Sequence, residues 1–507
     1  MVGQLSLRFS AFVILAVLVF LPGCSDKPKK TQWPEVNLEG SRDKVLLKSN
    51  YLIKVKDHTV GYVLMDAKHD IKADEVYGIW FMMMQFNRGD DVMPTLMDVH
   101  FVESPAGVLK NMSVDSNEGG TTATFAVVAD DTLQVRVENA EEVSNAKLPW
   151  QSGTLGPLGI ELSLLKNIMK PGETRTLSNV EPTSLAVYKQ TLIASDYEEI
   201  EAFPGQRLLK IRVVSEGQGV SMEGNLWINS EGLMMRATYP QMAMEFVYVE
   251  KRTEVTAAHL KVKDSGEKVD FNEVTSVEID GIYNQEATRQ ILTLHSTLTD
   301  LRDMFPNTLY QSVRKNGKDE VVLEISNDAV NLDLDDEAPA EEYLDSGPLI
   351  ESDYAPLQAK AEELTKELES DTEKLKAIQN FVYEHMDEKN YSKAMASAVD
   401  AFESGEGDCT EHACLLAAMA RSAGLPSRLV SGLVAVPDGA LTRCYFHMWN
   451  EVYLDGRWVS VDTTRPTAKE KWSRYIKIAD SSLTNENDQP FLLSGLVLLG
   501  DLSVFCQ

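Results

Sequence analysis

Three residues in the second half of the chain have side chains suited to covalent chemistry: Cys409, His447 and Asp462. Cys409 stands in the run Gly407-Asp408-Cys409-Thr410-Glu411-His412-Ala413. Asp408 is a good helix N-cap, and Glu411, three residues on, completes a capping-box pattern. The residues from Ala413 to Ala423 are strong helix formers and stop at Gly424, with Pro426 beyond. This spacing predicts a buried helix whose first turn carries Cys409. Free backbone N–H groups and the positive end of the helix dipole favour a thiolate there. The same amides suit an oxyanion on an attacked carbonyl. Asp408 and Glu411 oppose the thiolate by charge, so this thiol needs a histidine partner. A cysteine on its own is most often inert packing.

His447 follows 38 residues later, in Tyr445-Phe446-His447-Met448-Trp449-Asn450-Glu451-Val452-Tyr453-Leu454. Asp455-Gly456 reads as a two-residue hairpin turn, and Arg457-Trp458-Val459-Ser460-Val461-Asp462-Thr463-Thr464 returns. Such a turn pairs Leu454 with Arg457, which sets Trp449 opposite Asp462 and His447 opposite Thr464. Asp462 is then a diagonal neighbour of His447 on one face, roughly 7–8 Å away between backbones. That face reads His447, Trp449, Glu451 and Tyr453 against Trp458, Ser460, Asp462 and Thr464. The other face, with Phe446, Met448, Val452, Leu454, Val459 and Val461, suits a core. Together the residues form a nucleophile, a base and an orienter. Cys409 attacks a carbonyl, His447 activates the thiol and protonates the leaving group, and Asp462 fixes the imidazole tautomer. This chemistry requires no metal and no organic cofactor.

The three motifs, Gly407 to Ala413, His447 to Val452 and Trp458 to Asp462, resemble the transglutaminase-like superfamily, and Tyr391-Ser392 is a further familiar element. The resemblance runs from about Glu341 to Thr464, about a quarter to a third of the chain if it continues to the C-terminus. It implies a papain-like α+β core with Cys409, His447 and Asp462 as a Cys-His-Asp triad. Members of the superfamily act as transamidases, cysteine proteases or related amide hydrolases, and some have lost activity. His412 is expected to support or pack rather than to act as base. Cys414, five residues after Cys409, makes a poor metal spacing. Cys414, Cys444 and Cys506 leave room for one disulfide, and the sequence does not choose the pair.

The elements that must position these residues follow from periodicity. In Ala359–Leu368 and Leu375–Val382 the apolar residues fall three or four apart, as on amphipathic helices. Asp371 offers the second helix a cap without a reciprocal carboxylate, since Lys374 stands three residues on. From about Leu46 to Glu250 short alternating runs are separated by Gly, Asp and Asn, the pattern of antiparallel sheet. Met82-Met83-Met84 lies in such a run and reads as sheet packing; His295 reads as a surface residue of a later strand. The expected class is multidomain, with N-terminal antiparallel β-rich domains followed by an α+β papain-like core. The expected order is a β-rich domain at 45–252, a second at 253–332, an acidic linker at 333–342 and the transglutaminase-like domain at 343–507.

The chain has 507 residues with 48 basic and 78 acidic side chains, a formal net charge of −30. That balance argues against nucleic acid as a partner and against purely electrostatic adsorption to anionic lipid. Five cysteines are too few for a disulfide-stapled scaffold. Residues 1–23 read as a targeting peptide: Arg8 precedes an apolar run of 11 residues, Ala11 to Leu21, too short to span a bilayer. Leu21-Pro22-Gly23-Cys24 resembles a bacterial lipoprotein signal, with cleavage before Cys24 and acylation of its new N-terminus. Residues 24–44 then form a tether, and the mature net charge becomes −31. The apolar segment Phe491–Gly500 suits a buried strand better than a membrane span. Two readings result. The first is an envelope lipoprotein, periplasmic or at the cell surface, whose thiol domain transfers or hydrolyses acyl groups of protein or peptide amides. The second is a non-catalytic envelope scaffold whose β domains bind a partner. Oligomeric state and the choice between water and amine as acceptor are open.

Overall fold

The structure, a computed structural model, describes residues 44–484 and 502–507 except 57, 89–90, 117–121, 139–142, 183, 218–219, 256–275, 298–299, 332–338, 340, 348, 387–395 and 466–470. The targeting peptide, Cys24, residues 24–43 of the tether, most of the acidic linker, Tyr391-Ser392 and Phe491–Gly500 lie outside the described residues. The chain divides into two compact units between Asp270 and Phe271. It is a multidomain protein, β-rich in its N-terminal region and α+β towards its C-terminus.

Among the described residues, the first unit is built on one antiparallel sheet of 14 strands, from β1 (Lys44–Val55) to β14 (Met244–Tyr248). Strands β1 to β8 (Val143–Pro149) are neighbours in chain order, as are β9 (Thr174–Val180) to β14. The two runs join where β14 pairs with β1, with Tyr51 opposite Tyr248. The alternation seen in the sequence is the alternation of burial: Met82 and Met84 are buried, while Met83 between them is partly exposed.

The second unit holds the candidate residues. Among the described residues its sheet has nine strands: β15 (Val277–Gly281), β16 (Arg289–His295), β17 (Gln311–Lys315), β18 (Glu320–Ser326), β19 (Ser427–Asp438), β20 (Leu441–Leu454), β21 (Arg457–Val461), β22 (Tyr475–Ser481) and β23 (Ser503–Cys506). Their order is β17-β18-β16-β23-β15-β20-β19-β22, with β21 paired to β20. The region 253–332 therefore does not stand as a β domain of its own. Its β15 pairs with β20 at Val277–Cys444 and Glu278–Arg443, and the C-terminal β23 lies between β15 and β16. Alternation marks a run as a strand but says nothing about which strand it pairs with, so this join was invisible locally.

Among the described residues this unit has four α-helices, Ala355–Thr365, Asp371–His385, Ala398–Ser404 and Cys409–Ser422; the last packs on β19 and β20, and the other three pack on it. The cap of the second is Ser370, not Asp371. Ser370 is extended, its hydroxyl accepts from the Glu373 N–H, and Glu373 returns the bond to the Ser370 N–H. The reciprocal carboxylate, Glu373, stands three residues after Ser370, one place before Lys374. Helix Cys409–Ser422 lies against β20, where Asn450 Nδ2 donates to the Ala413 carbonyl at 2.9 Å. At its far end the buried Arg421 guanidinium donates to the carbonyls of Ser427, Ser482 and Asp345.

Gly432 in β19 sits opposite His447 in β20. A Cβ at Gly432 would collide with the Ile476 carbonyl oxygen of β22 and with the Trp449 indole. The bare backbone lets both neighbours close in around the histidine. Gly432→Ala is expected to destabilise the second unit by about 1–3 kcal/mol, the usual cost of overpacking. Urea unfolding followed by tryptophan fluorescence checks this; an unchanged midpoint would contradict it.

Candidate active site

The cysteine is placed by the local chemistry of its helix start. Asp408 is extended, and its carboxylate accepts from the Thr410 N–H at 2.7 Å. Glu411 completes the box by accepting from the Asp408 N–H at 2.8 Å, and its other oxygen accepts from the Ala396 N–H at 2.7 Å. Burial, reinforced by the Asp408 charge, pushes the Glu411 carboxyl well above the usual carboxylate range. Its opposition to a thiolate at Cys409 is therefore weaker than the sequence alone implies. Cys409 is the first helical residue and is buried.

The histidine and aspartate are placed by the hairpin. Asp455 and Gly456 both take positive φ, 50° and 82°, as a tight two-residue turn requires. The pairing runs from Leu454–Arg457 to Asn450–Val461, the register read from the turn. Asp462 follows β21 directly and meets the imidazole: His447 Nε2 donates to Asp462 Oδ2 at 2.8 Å. Nε2 is thereby committed, which leaves Nδ1 for exchange with the thiol. Cys409 is also a hydrogen-bond partner of the His447 ring, so the helix start and the hairpin converge.

The surroundings decide the charges. Burial disfavours the imidazolium, but the Asp462 charge and hydrogen bond, together with Cys409, outweigh it and push His447 up to about 10. Burial likewise disfavours the Asp462 carboxylate. His447, Tyr475 and Thr464 overcome that and hold it far below the usual range. Thr464 donates its N–H and its hydroxyl to Oδ1 at 2.8 and 2.7 Å. Tyr475 donates to Oδ2 at 2.6 Å. An imidazolium beside a thiol is the arrangement that holds a thiolate ready for attack.

Other candidate residues fall elsewhere. His412 is buried in the helix, and its carbonyl accepts from the Thr463 hydroxyl at 3.4 Å. Cys414 and Cys444 are buried; burial, aided by the Glu411 charge, raises the first thiol, and burial alone pushes the second up to about 12. Cys409, Cys414, Cys444 and Cys506 are all free thiols, so no disulfide joins the last three. Among the described residues no cluster of three or more His, Cys, Asp or Glu is arranged to hold a metal. Reading by motif missed Tyr475, which reaches Asp462 from another strand and carries no spacing signal.

Residues 358–463 match the family model of the transglutaminase-like superfamily core, and the match contains Cys409, His447 and Asp462. This segment is a transglutaminase-like domain. The domain makes up about a fifth of the chain. Several solved structures are similar to parts of the chain. A proposed cysteine protease from Cytophaga hutchinsonii shares 17% identity over 45% of this chain and 82% of its own, with a TM-score of 0.27. The periplasmic domain of TgpA from Pseudomonas aeruginosa, bound to ethylmercury, shares 16% over 37% and 88%, with a TM-score of 0.27. A β-barrel-like protein of a domain of unknown function from Brucella abortus shares 10% over 40% and 94%, with a TM-score of 0.31. No curated protein matches the chain.

The electrostatics of the transglutaminase-like domain lead to a direct expectation. In NMR titration the His447 ring should change protonation near 10, and Asp462→Asn should bring that midpoint down towards the ordinary 6.5. A wild-type midpoint already near 6.5 would contradict the coupling.

Proposed function

We propose that the transglutaminase-like domain is a thiol-dependent acyl-transfer enzyme that hydrolyses or transamidates amide bonds of proteins or peptides. The observation that carries this reading is the buried 2.8 Å bond between His447 and Asp462 on an imidazole that also engages Cys409. In this reading the Cys409 thiolate attacks the amide carbonyl carbon, and the carbonyl electron pair moves to oxygen. N–H groups of the helix start stabilise that oxyanion. His447 Nδ1 delivers its proton to the departing amine as the C–N bond breaks, which leaves a thioester on Cys409. Water or an amine then attacks the thioester and gives its proton to His447, and the thiolate departs. Asp462 stays ionised throughout and keeps the ring oriented.

We also propose that the protein acts from the non-cytoplasmic side of a bacterial membrane, held there by lipid on Cys24. No helix among the described residues is long and apolar enough to cross a membrane. An acylated cysteine after an 11-residue apolar run supplies attachment without a span.

Two experiments test these readings. A peptide-like acylating probe should label the wild-type protein at Cys409, with labelling abolished in Cys409→Ala and reduced about 100-fold or more in His447→Ala. Labelling that persists in Cys409→Ala sinks the nucleophile, and equal labelling in His447→Ala favours the scaffold reading. Added primary amine, with products identified by mass spectrometry, separates transfer from hydrolysis. For the anchor, Cys24→Ala should move the protein from the membrane fraction to the soluble fraction; unchanged membrane retention would refute lipid attachment at that residue.

A further inference from the structure

Asp462 is 1% exposed and carries four donors. Oδ1 receives both groups of Thr464, while Oδ2 receives His447 Nε2 at 2.8 Å and the Tyr475 hydroxyl at 2.6 Å. Four donors fill the acceptor capacity of a carboxylate, so it cannot turn without breaking bonds on both oxygens. Tyr475 also touches the imidazole itself. Its ring centroid lies 5.8 Å from that of His447 and 5.3 Å from that of Trp449, and Trp449 stacks on His447 with centroids 6.2 Å apart. The phenol thus restrains both the carboxylate and the ring it orients.

What delivers Tyr475 is β22, which lies beyond the segment matching the transglutaminase-like family. Its register is set from two directions. On one side β22 pairs with β19, with Tyr475 opposite Val434. On the other, the buried Gln311 side chain clamps the Lys477 backbone: Gln311 Nε2 donates to the Lys477 carbonyl at 3.0 Å, and the Lys477 N–H donates to Gln311 Oε1 at 2.9 Å. The Lys477 ammonium is tied to Glu451 at 2.5 Å and to Asp480 at 2.7 Å. Gln311 belongs to β17, in the strands that precede the family segment.

We propose that Tyr475 is a positioning residue of the Cys409–His447–Asp462 site, held in place by the Gln311 clamp on β22. The proposal rests on the catalytic reading given above. Among the described residues, the titratable groups facing the imidazole are Cys409 from the helix, Asp462 after β21 and Tyr475 from β22. Behind them, Lys477, Glu451, Arg428 and Asp480 are bonded among themselves. Tyr475 shares the Asp462 charge with the imidazolium. Without the phenol that charge falls more fully on His447, which holds its proton to higher pH, and the ring loses a wall.

The test measures the rate of alkylation of Cys409 by iodoacetamide across pH in wild type, Tyr475→Phe and Gln311→Ala, with Cys409→Ala as the blank and His447→Ala as the reference for an unactivated thiol. In Tyr475→Phe the alkaline inflection should move to higher pH, because the Asp462 charge falls more fully on His447, and the rate near pH 7 should fall about tenfold, because a ring without its wall leaves the geometry that engages Cys409. Gln311→Ala should shift both in the same direction by less, and it carries the test if Tyr475→Phe does not fold. Rates and inflection unchanged in both variants would overturn the positioning role, as would a loss of rate with the inflection in place. If wild type reacts no faster than His447→Ala, the catalytic reading itself fails, whatever the Tyr475 variant does.

Discussion

A carboxylate and an imidazolium buried side by side impose a condition on everything around them. Each ion loses its hydration on burial, and removing one partner of such a pair leaves the other uncompensated at a cost of about 3–5 kcal/mol. Asp462 can stay ionised only because donors replace water at both of its oxygens. Those donors come from β20, from the residues just after β21 and from β22. The hairpin turn at Asp455-Gly456, the bare backbone of Gly432 and the register of β22 are therefore parts of one requirement. Shifting any of these strands by one residue turns its side chains to the other face and takes a donor away.

The same logic extends one layer outward. Lys477, Glu451, Arg428 and Asp480 form a second group of shielded charges, with Arg428 lying over the Trp458 ring at 4.1 Å. Glu451 shares β20 with His447, and Lys477 shares β22 with Tyr475. A network linking these strands outside the site holds them at the spacing that the site needs. The helix contributes separately. Its capping box presents Cys409 at the first turn, and the bond from Asn450 to the Ala413 carbonyl ties the next turn to β20.

Much of the site was legible because its determinants are local. A capping box spans four residues, and a hairpin's register follows from its turn, so Cys409 at a helix start and the pairing of Leu454 with Arg457 could be read directly. The alternation of the N-terminal strands was equally plain, although nothing in it foretold that fourteen described strands form one sheet whose two runs join where β14 pairs with β1. What escaped was non-local. Strands β15 to β18 read as a separate domain because sequence shows a strand but not its partner. Tyr475 and Gln311 escaped for the same reason, since each acts through a contact with a distant element. The Ser370 cap was missed by a single residue, because Ser and Asp adjacent to one another are both good caps.

As proposed, His447 and Asp462 act as one unit that activates Cys409, and a double-mutant cycle measures that most directly. Rates of Cys409 labelling by the acylating probe would be compared in wild type, His447→Ala, Asp462→Ala and the double variant. For a single unit the double variant loses little beyond the loss in His447→Ala, because an orienter without its ring has nothing left to orient. Losses that add in free energy would mean that the two residues act independently, and would contradict the account.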